Sequence, residues 1–200
     1  QGKIICHCSG LMSSLDFDGI NECGAFGYSI HPLFAISSKT ESYKTVNQAV
    51  FTIEGNEKYI NCFKQFFKKL GNKVYTITAD KKVKYHAAAV FLSNQANALA
   101  HIGCKLLKEC GFDDEFNKTA LRTLFLNNCK AIAEKGAVNA LTGPVERNDL
   151  ITIRKHMECL SENEKDLYSL LSCQLLKIAK EKNNDLDYSD MENFLKEKLQ

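Results

Sequence analysis

No G-x-G-x-x-G occurs anywhere in these 200 residues. No complete strand–helix–strand unit precedes the first apolar strand, Lys3-Ile4-Ile5-Cys6-His7-Cys8. The glycine-rich phosphate loop of a dinucleotide-binding half is therefore missing from the chain. Yet that strand runs straight into Ser9-Gly10, and a Gly at the carboxyl end of an apolar strand suits a tight turn where backbone approaches a ligand. The pattern reads as the second half of an α/β nucleotide-binding protein, entered inside its sheet.

Other absences narrow the class. No stretch reaches the roughly 18 apolar residues of a bilayer span, and no signal-peptide pattern is visible. A net charge of +2, with Lys spread among Glu and Asp, gives no case for nucleic acid or an acidic membrane surface. Neither C-x-x-C nor H-x-x-x-H occurs, which speaks against zinc and against thiol–disulfide catalysis. Cys6-His7-Cys8 does not replace them, because strand alternation sends His7 to the face opposite both thiols. Nine Cys is an odd number in a long chain, and Cys62, Cys104, Cys110, Cys129, Cys159 and Cys173 lie in apolar contexts where a reduced thiol behaves as a small hydrophobe. These features predict a reduced, cytoplasmic protein without metal.

What is present alternates and then changes. Gly24–Ile30 is a short strand ending at His31-Pro32, Val50–Gly55 a strand with a Gly stop, and Lys73–Ile77 another. Between the last two, Lys58–Leu70 is an amphipathic helix with Ile60, Phe63, Phe66, Phe67 and Leu70 on one side. After Asp80 the pattern is helical. The spacing predicts one long, central, buried helix over Lys82–Cys110, built around Ala87–Leu92. Further helices are expected over Lys118–Lys135, stopped at Gly136, and over Asp149–Leu160, capped by Asn148 or Asp149. Capping boxes Ser161-x-x-Glu164 and Ser189-x-x-Glu192 start two more. The expected fold class is thus a partial α/β sheet over residues 1–79 followed by an all-α helical domain over 80–200.

Candidate chemistry concentrates on the long helix. At roughly 100° per residue, His86, Ser93, Asn94, Asn97 and His101 share one stripe of an otherwise apolar helix. Left unpartnered in a core they would cost about 1–3 kcal/mol each, so they face a cleft or ligand, or else bond neighbouring helices as a structural network. A His and an amide on one face can donate a proton and orient a carbonyl or imine. His31-Pro32 follows a strand, where an α/β sheet opens its ligand crevice, although His-Pro is also common in plain turns. Leu141–Asp149 is a rigid turn delivering a helix N-terminus with Arg147 beside it, able to hold a carboxylate or phosphate or simply to pair with a neighbouring acid.

Five segments, in order, resemble a known family: His7-Cys8-Ser9-Gly10, Ser29–Phe34, Ala49–Gly55, Tyr85–Asn94 and Leu141–Asp149. The chain is similar over residues 3–180 to the Rossmann-like oxidoreductases whose C-terminal part is catalogued as domain of unknown function 2520. These are relatives of pyrroline-5-carboxylate reductase and of the 6-phosphogluconate and 3-hydroxyisobutyrate dehydrogenases. The resemblance implies an NADP- or NAD-binding sheet joined to a helical domain like the C-terminal part of 6-phosphogluconate dehydrogenase. It implies hydride transfer to or from a small metabolite in the cleft between them, and a homodimer formed mainly by the helices. It also implies cofactor contacts by Ser9, Gly10, His31 and Pro32, the last two in a loop similar to the His-Pro-Met-Phe loop of prephenate dehydrogenases. His86, Ser93 and Asn94 are the implied catalytic residues, while Arg147, from its place beside the helix N-terminus, is the substrate-binding candidate. Lys84 precedes His86 and no Lys sits one turn before Asn94, a departure from the hydroxyacid dehydrogenases that leaves the general acid unassigned. The alternative is a non-catalytic, dimerising module that senses a nucleotide or metabolite.

Overall fold

The computed structural model describes residues 1–36 and 38–199. The chain divides into two compact units, Gln1–Gly103 and Cys104–Gln200, some twenty residues beyond the point near Asp80 where the helical pattern starts.

The first unit is built on a mixed four-stranded sheet in the order β1 (Ile4–His7), β2 (Phe26–Leu33), β3 (Val50–Gly55), β4 (Lys73–Thr76). The outer pairs, β1 with β2 and β3 with β4, are parallel, and the central pair β2 with β3 is antiparallel. His31 and Pro32 lie inside β2 rather than after it, opposite Thr52 and Phe51. Pro32 is tolerated there because β1 pairs β2 only as far as Ser29, so the missing N–H falls where the strand has no neighbour on that side.

Helix α1 (Glu57–Lys69) is capped by Asn56, whose side chain accepts from Lys58 N at 3.0 Å. It lays Ile60, Phe63 and Phe67 on a core of Tyr28, Ile30, Ala49, Phe51 and Ile53. Phe51 and Phe67 stack with ring centroids 4.2 Å apart. Phe66 and Leu70, expected on the same face, are instead more than half exposed. Asn72 ties the following turn down, donating to the carbonyls of Val46 and Ala49 at 2.8 and 3.0 Å.

The long helix of the sequence reading is broken and largely exposed. It forms α2 (Lys82–Leu92) and α3 (Asn94–Glu109), separated at Ser93, whose φ of −125° and ψ of −70° leave the helical region. The Ser93 hydroxyl donates to the Ala89 carbonyl at 2.8 Å, a side-chain bond that competes with the helix ladder at this point. Phe91 and Leu92 are 72% and 81% exposed, so an apolar run did not here mean a buried one.

The second unit contains the end of α3, then α4 (Asp114–Ala120), a wide π-type turn over Leu121–Phe125, and α5 (Leu126–Ala140). This run starts at Asp114, four residues before the expected start at Lys118, and Asp113 caps it by accepting from Phe116 N. Gly136 interrupts α5 with φ 78° and ψ 161°, the stop anticipated from sequence. Helices α6 (Leu150–Cys159), α7 (Glu162–Lys182) and α8 (Ser189–Glu197) carry the core of Val145, Ile153, Met157, Leu176, Ala179, Tyr188, Met191, Phe194 and Leu195. Asp149 caps α6 through Thr152 N at 3.0 Å, and Glu164 closes the expected box with Ser161. The second expected box does not form. The Ser189 hydroxyl donates to Asp187, and Glu192 is drawn to Lys180 and Lys196 instead. All nine thiols are free, and Cys62, Cys110, Cys129 and Cys159 are exposed, contrary to the apolar surroundings expected for them.

Ile53 is fully buried between sheet and α1, so Ile53→Ala should cost about 2–5 kcal/mol. Urea denaturation followed by far-UV circular dichroism would measure this, and a loss below about 1 kcal/mol would show a poorly packed site.

Candidate functional site

The site forms where the carboxyl end of β1, the middle of β2 and the first turns of α2 meet. Helical spacing puts Lys82, Tyr85, His86, Ala89 and Ser93 on one face of α2. Lys82 is 1% exposed, and its ammonium donates to the Ser9 carbonyl at 2.9 Å and to the Ser29 hydroxyl at 2.6 Å. The Ser29 hydroxyl in turn donates to the same Ser9 carbonyl at 3.1 Å. Burial pushes the Lys82 ammonium down from its ordinary pKa, and the Glu54 carboxylate opposes that shift. Glu54 is itself buried, its two oxygens accepting from the Ser14 N–H at 2.6 Å and the Ser14 hydroxyl at 2.7 Å.

Two imidazoles close over the strand end held this way. His31 Nδ1 is 2.7 Å from the Tyr85 hydroxyl, and the rings of His31 and His86 lie edge-to-face with centroids 6.3 Å apart. A Cβ on Gly10 would come within 2.6 Å of His86 Nδ1 and 2.9 Å of His31 Nε2. Only a residue without a side chain lets both rings approach. His86 Nδ1 is buried and has no hydrogen-bond partner among the described residues. Burying an N–H there unpaired would cost about 1–3 kcal/mol, so the neutral ring keeps its proton on Nε2. Burial first, then the Lys82 and His86 charges, hold the His31 pKa below its ordinary value, whereas burial raises that of Tyr85. Tyr85 thus stays a phenol and donates to a neutral His31.

Beside these rings opens a cleft of about 300 Å³, walled by Pro32, Leu33, Phe34, Ala89 and Val90 and carrying His31, His86, Ser93 and Asn94 as its polar groups. Of the residues singled out from sequence, Gly10, His31 and His86 are therefore brought together, with Ser9 tethered beneath them and Pro32, Ser93 and Asn94 on the cleft wall. Asn97 and His101 are exposed on α3, because the break at Ser93 divides the stripe. Arg147 lies exposed in the second unit, where hydrogen bonds from Thr152 hold the Asp149 carboxyl low and Arg147 adds a smaller effect. Lys82 was missed. The available signal was its spacing, one helical turn before His86, on a helix whose other lysine, Lys84, faces water.

With this geometry in hand, likeness to known proteins can be placed. A family model described as domain of unknown function (DUF2520) matches residues 49–175. The chain belongs to the DUF2520 family. Among solved structures, protein TM1727 from Thermotoga maritima is similar at 28% identity and a TM-score of 0.74, over 90% of this chain and 70% of that one. The putative NADP oxidoreductase BF3122 from Bacteroides fragilis shares the fold at 24% identity and a TM-score of 0.68, over 87% of this chain and 65% of that one. No protein of curated function matches the sequence. A mixed sheet followed by a helical region is thus the fold this DUF2520 chain shares with its structural neighbours.

The low His31 pKa has a pH signature. As pH falls through and below the ordinary value of 6.5, the unfolded chain takes up a proton that native His31 resists, so stability is present above that value and lost on acidification. Urea midpoints should fall between about pH 7 and 5, and His31→Gln should flatten part of that slope; an unchanged slope in the variant would assign the dependence to other groups.

Proposed function

We propose that this DUF2520 chain forms the catalytic cleft of an NADP- or NAD-dependent oxidoreductase acting on a small metabolite. The observation that carries this reading is the closure of two imidazoles on Gly10 at the carboxyl end of β1, where α/β sheets open their ligand crevice. The residues fit the nicotinamide end of such a cofactor. Gly10 offers bare backbone for close approach, the cleft walls are apolar enough for a flat ring, and His86 Nδ1 is an orphaned polar atom at the same point. Ser9, Gly10, His31 and Pro32 would hold that end. The bound cofactor would supply or accept hydride.

The chain's own residues supply the hydrogen-bond donor and the alignment. His86, with its proton on Nε2, presents that N–H to a reacting oxygen or nitrogen, and the proton that completes the product is exchanged with solvent through the open side of the cleft. Tyr85 fixes the His31 ring by its 2.7 Å hydrogen bond. Asn94 and Ser93, joined by a 3.0 Å hydrogen bond, offer orienting groups at the cleft wall. Arg147 remains the candidate for a substrate anion, on its charge and its place at the start of α6. The cytoplasmic setting and the absence of membrane or nucleic-acid partners belong to the same reading. No helix of the described residues is long and apolar enough to cross a membrane.

A homodimer completes the proposal. Helices α6–α8 carry the core of the second unit, whereas α4, α5 and the turn between them leave Phe116, Leu124, Leu126 and Ile132 exposed. Light scattering at micromolar concentration should give twice the monomer mass, and monomer alone would remove this part of the reading.

The catalytic reading is tested by titrating NADPH and NADH against the purified protein, with quenching or enhancement of nicotinamide fluorescence expected for one of them. A flat response to both would reject it. Once a substrate is found, His86→Ala should lower turnover by roughly 10²–10⁴-fold with the thermal midpoint nearly unchanged. Loss of stability ahead of activity would instead make His86 a packing residue.

A further inference from the structure

The hydrogen-bond donor just assigned could serve a carbonyl or an imine, and the charges around it separate the two. We propose that Lys82 is the electrostatic floor of this cleft and makes it a site for a carbonyl or hydroxyl compound that carries or develops negative charge, against an imine that enters as a cation. This rests on the oxidoreductase reading above and gives it a substrate class.

The geometry is one-sided. Lys82 acts on the His31 ring with its positive charge, and it is locked in place by the Ser9 carbonyl and the Ser29 hydroxyl. The groups facing it are Ser9 from the β1 end, Ser29 and His31 from β2, Glu54 from β3, and Tyr85 from α2. Glu54 is the one carboxylate among these, and both its oxygens are taken up by Ser14. Its charge acts on Lys82, whereas at His31 the effects felt after burial are those of Lys82 and His86. No carboxylate lines the cleft itself. An iminium ion arriving there would find no counter-charge and a buried ammonium behind the imidazoles. An oxygen gaining negative charge would find a hydrogen-bond donor and a positive potential that solvent screens poorly, because its source is buried. The Nε2–H of neutral His86 stays on the ring and hydrogen-bonds such an oxygen, and the proton that completes the hydroxyl comes from solvent through the open side of the cleft, so the imidazole remains neutral throughout.

The test compares two small probes of opposite charge, 2-oxobutyrate and pyrrolidinium, by following the imidazole signals of His31 and His86 in two-dimensional NMR. The His156 ring, in the second unit, serves as control. The oxo acid should shift both cleft signals with an apparent affinity at least about tenfold above that of pyrrolidinium, and Lys82→Met should reduce this preference to below about threefold. Equal or tighter binding of pyrrolidinium would overturn the proposal. So would an absence of response to 2-oxobutyrate, or a folded Lys82→Met protein that keeps the full preference. Where Lys82→Met does not fold, the comparison in the unsubstituted protein decides alone. Nicotinamide fluorescence on the same preparation separates the two readings: a charge preference without cofactor binding defeats the oxidoreductase assignment only, and cofactor binding without the preference defeats the substrate class only.

Discussion

The hydrogen bonds from the Lys82 ammonium to Ser9 and Ser29 are the constraint on which the rest of the site depends. An ammonium that is 1% exposed survives burial only if its N–H groups are met, and here they are met by the backbone leaving β1 and a side chain of β2. The same bonds fix α2 against the sheet at its first residue. Everything further along that face follows: Tyr85 reaches His31, and His86 reaches the space that Gly10 leaves open. Removing the lysine head would therefore act on the placement of two imidazoles as well as on one charge.

Much of the first unit was legible in the sequence because local and global signals agreed there. Strand β3 was bounded by its own Gly55, and the apolar side of α1 showed in the spacing of Ile60, Phe63 and Phe67. Gly10, His31 and His86 could be singled out because a strand-end glycine and an imidazole on an apolar helix are unusual enough to be noticed singly. Their convergence was not legible, since it depends on β2 extending through Pro32 and on the register that sets Ser29 beside His7.

Four failures have physical causes. The Ala87–Leu92 run was read as a buried helix core, but burial is a property of what lies opposite, and within its own unit this segment has little opposite it. Ser93 broke the helix through one side-chain hydrogen bond, a local competition that hydrophobic periodicity does not register. Lys82 looked like any solvated lysine because the partners that bury it come from residues 9 and 29, far away in sequence. The Ser189 box failed likewise, since Asp187 and two lysines offered its members stronger partners.

The mixed sheet carries a consequence for how the chain reaches its structure. Strands β1 and β2 are parallel, yet the connection over residues 8–25 holds only a short 3₁₀ turn (Ser14–Asp16) and no α-helix to organise it. Its closure entropy must be met before the ladder forms, whereas α6, α7 and α8 are sequential helices whose contacts are close in sequence. The two units are therefore built on different clocks: local helical contacts place the second among fast-folding topologies, and the parallel pairings place the first among slower ones. The candidate cleft, assembled from the ends of β1, β2 and α2, belongs to the unit whose topology is the slower kind to close.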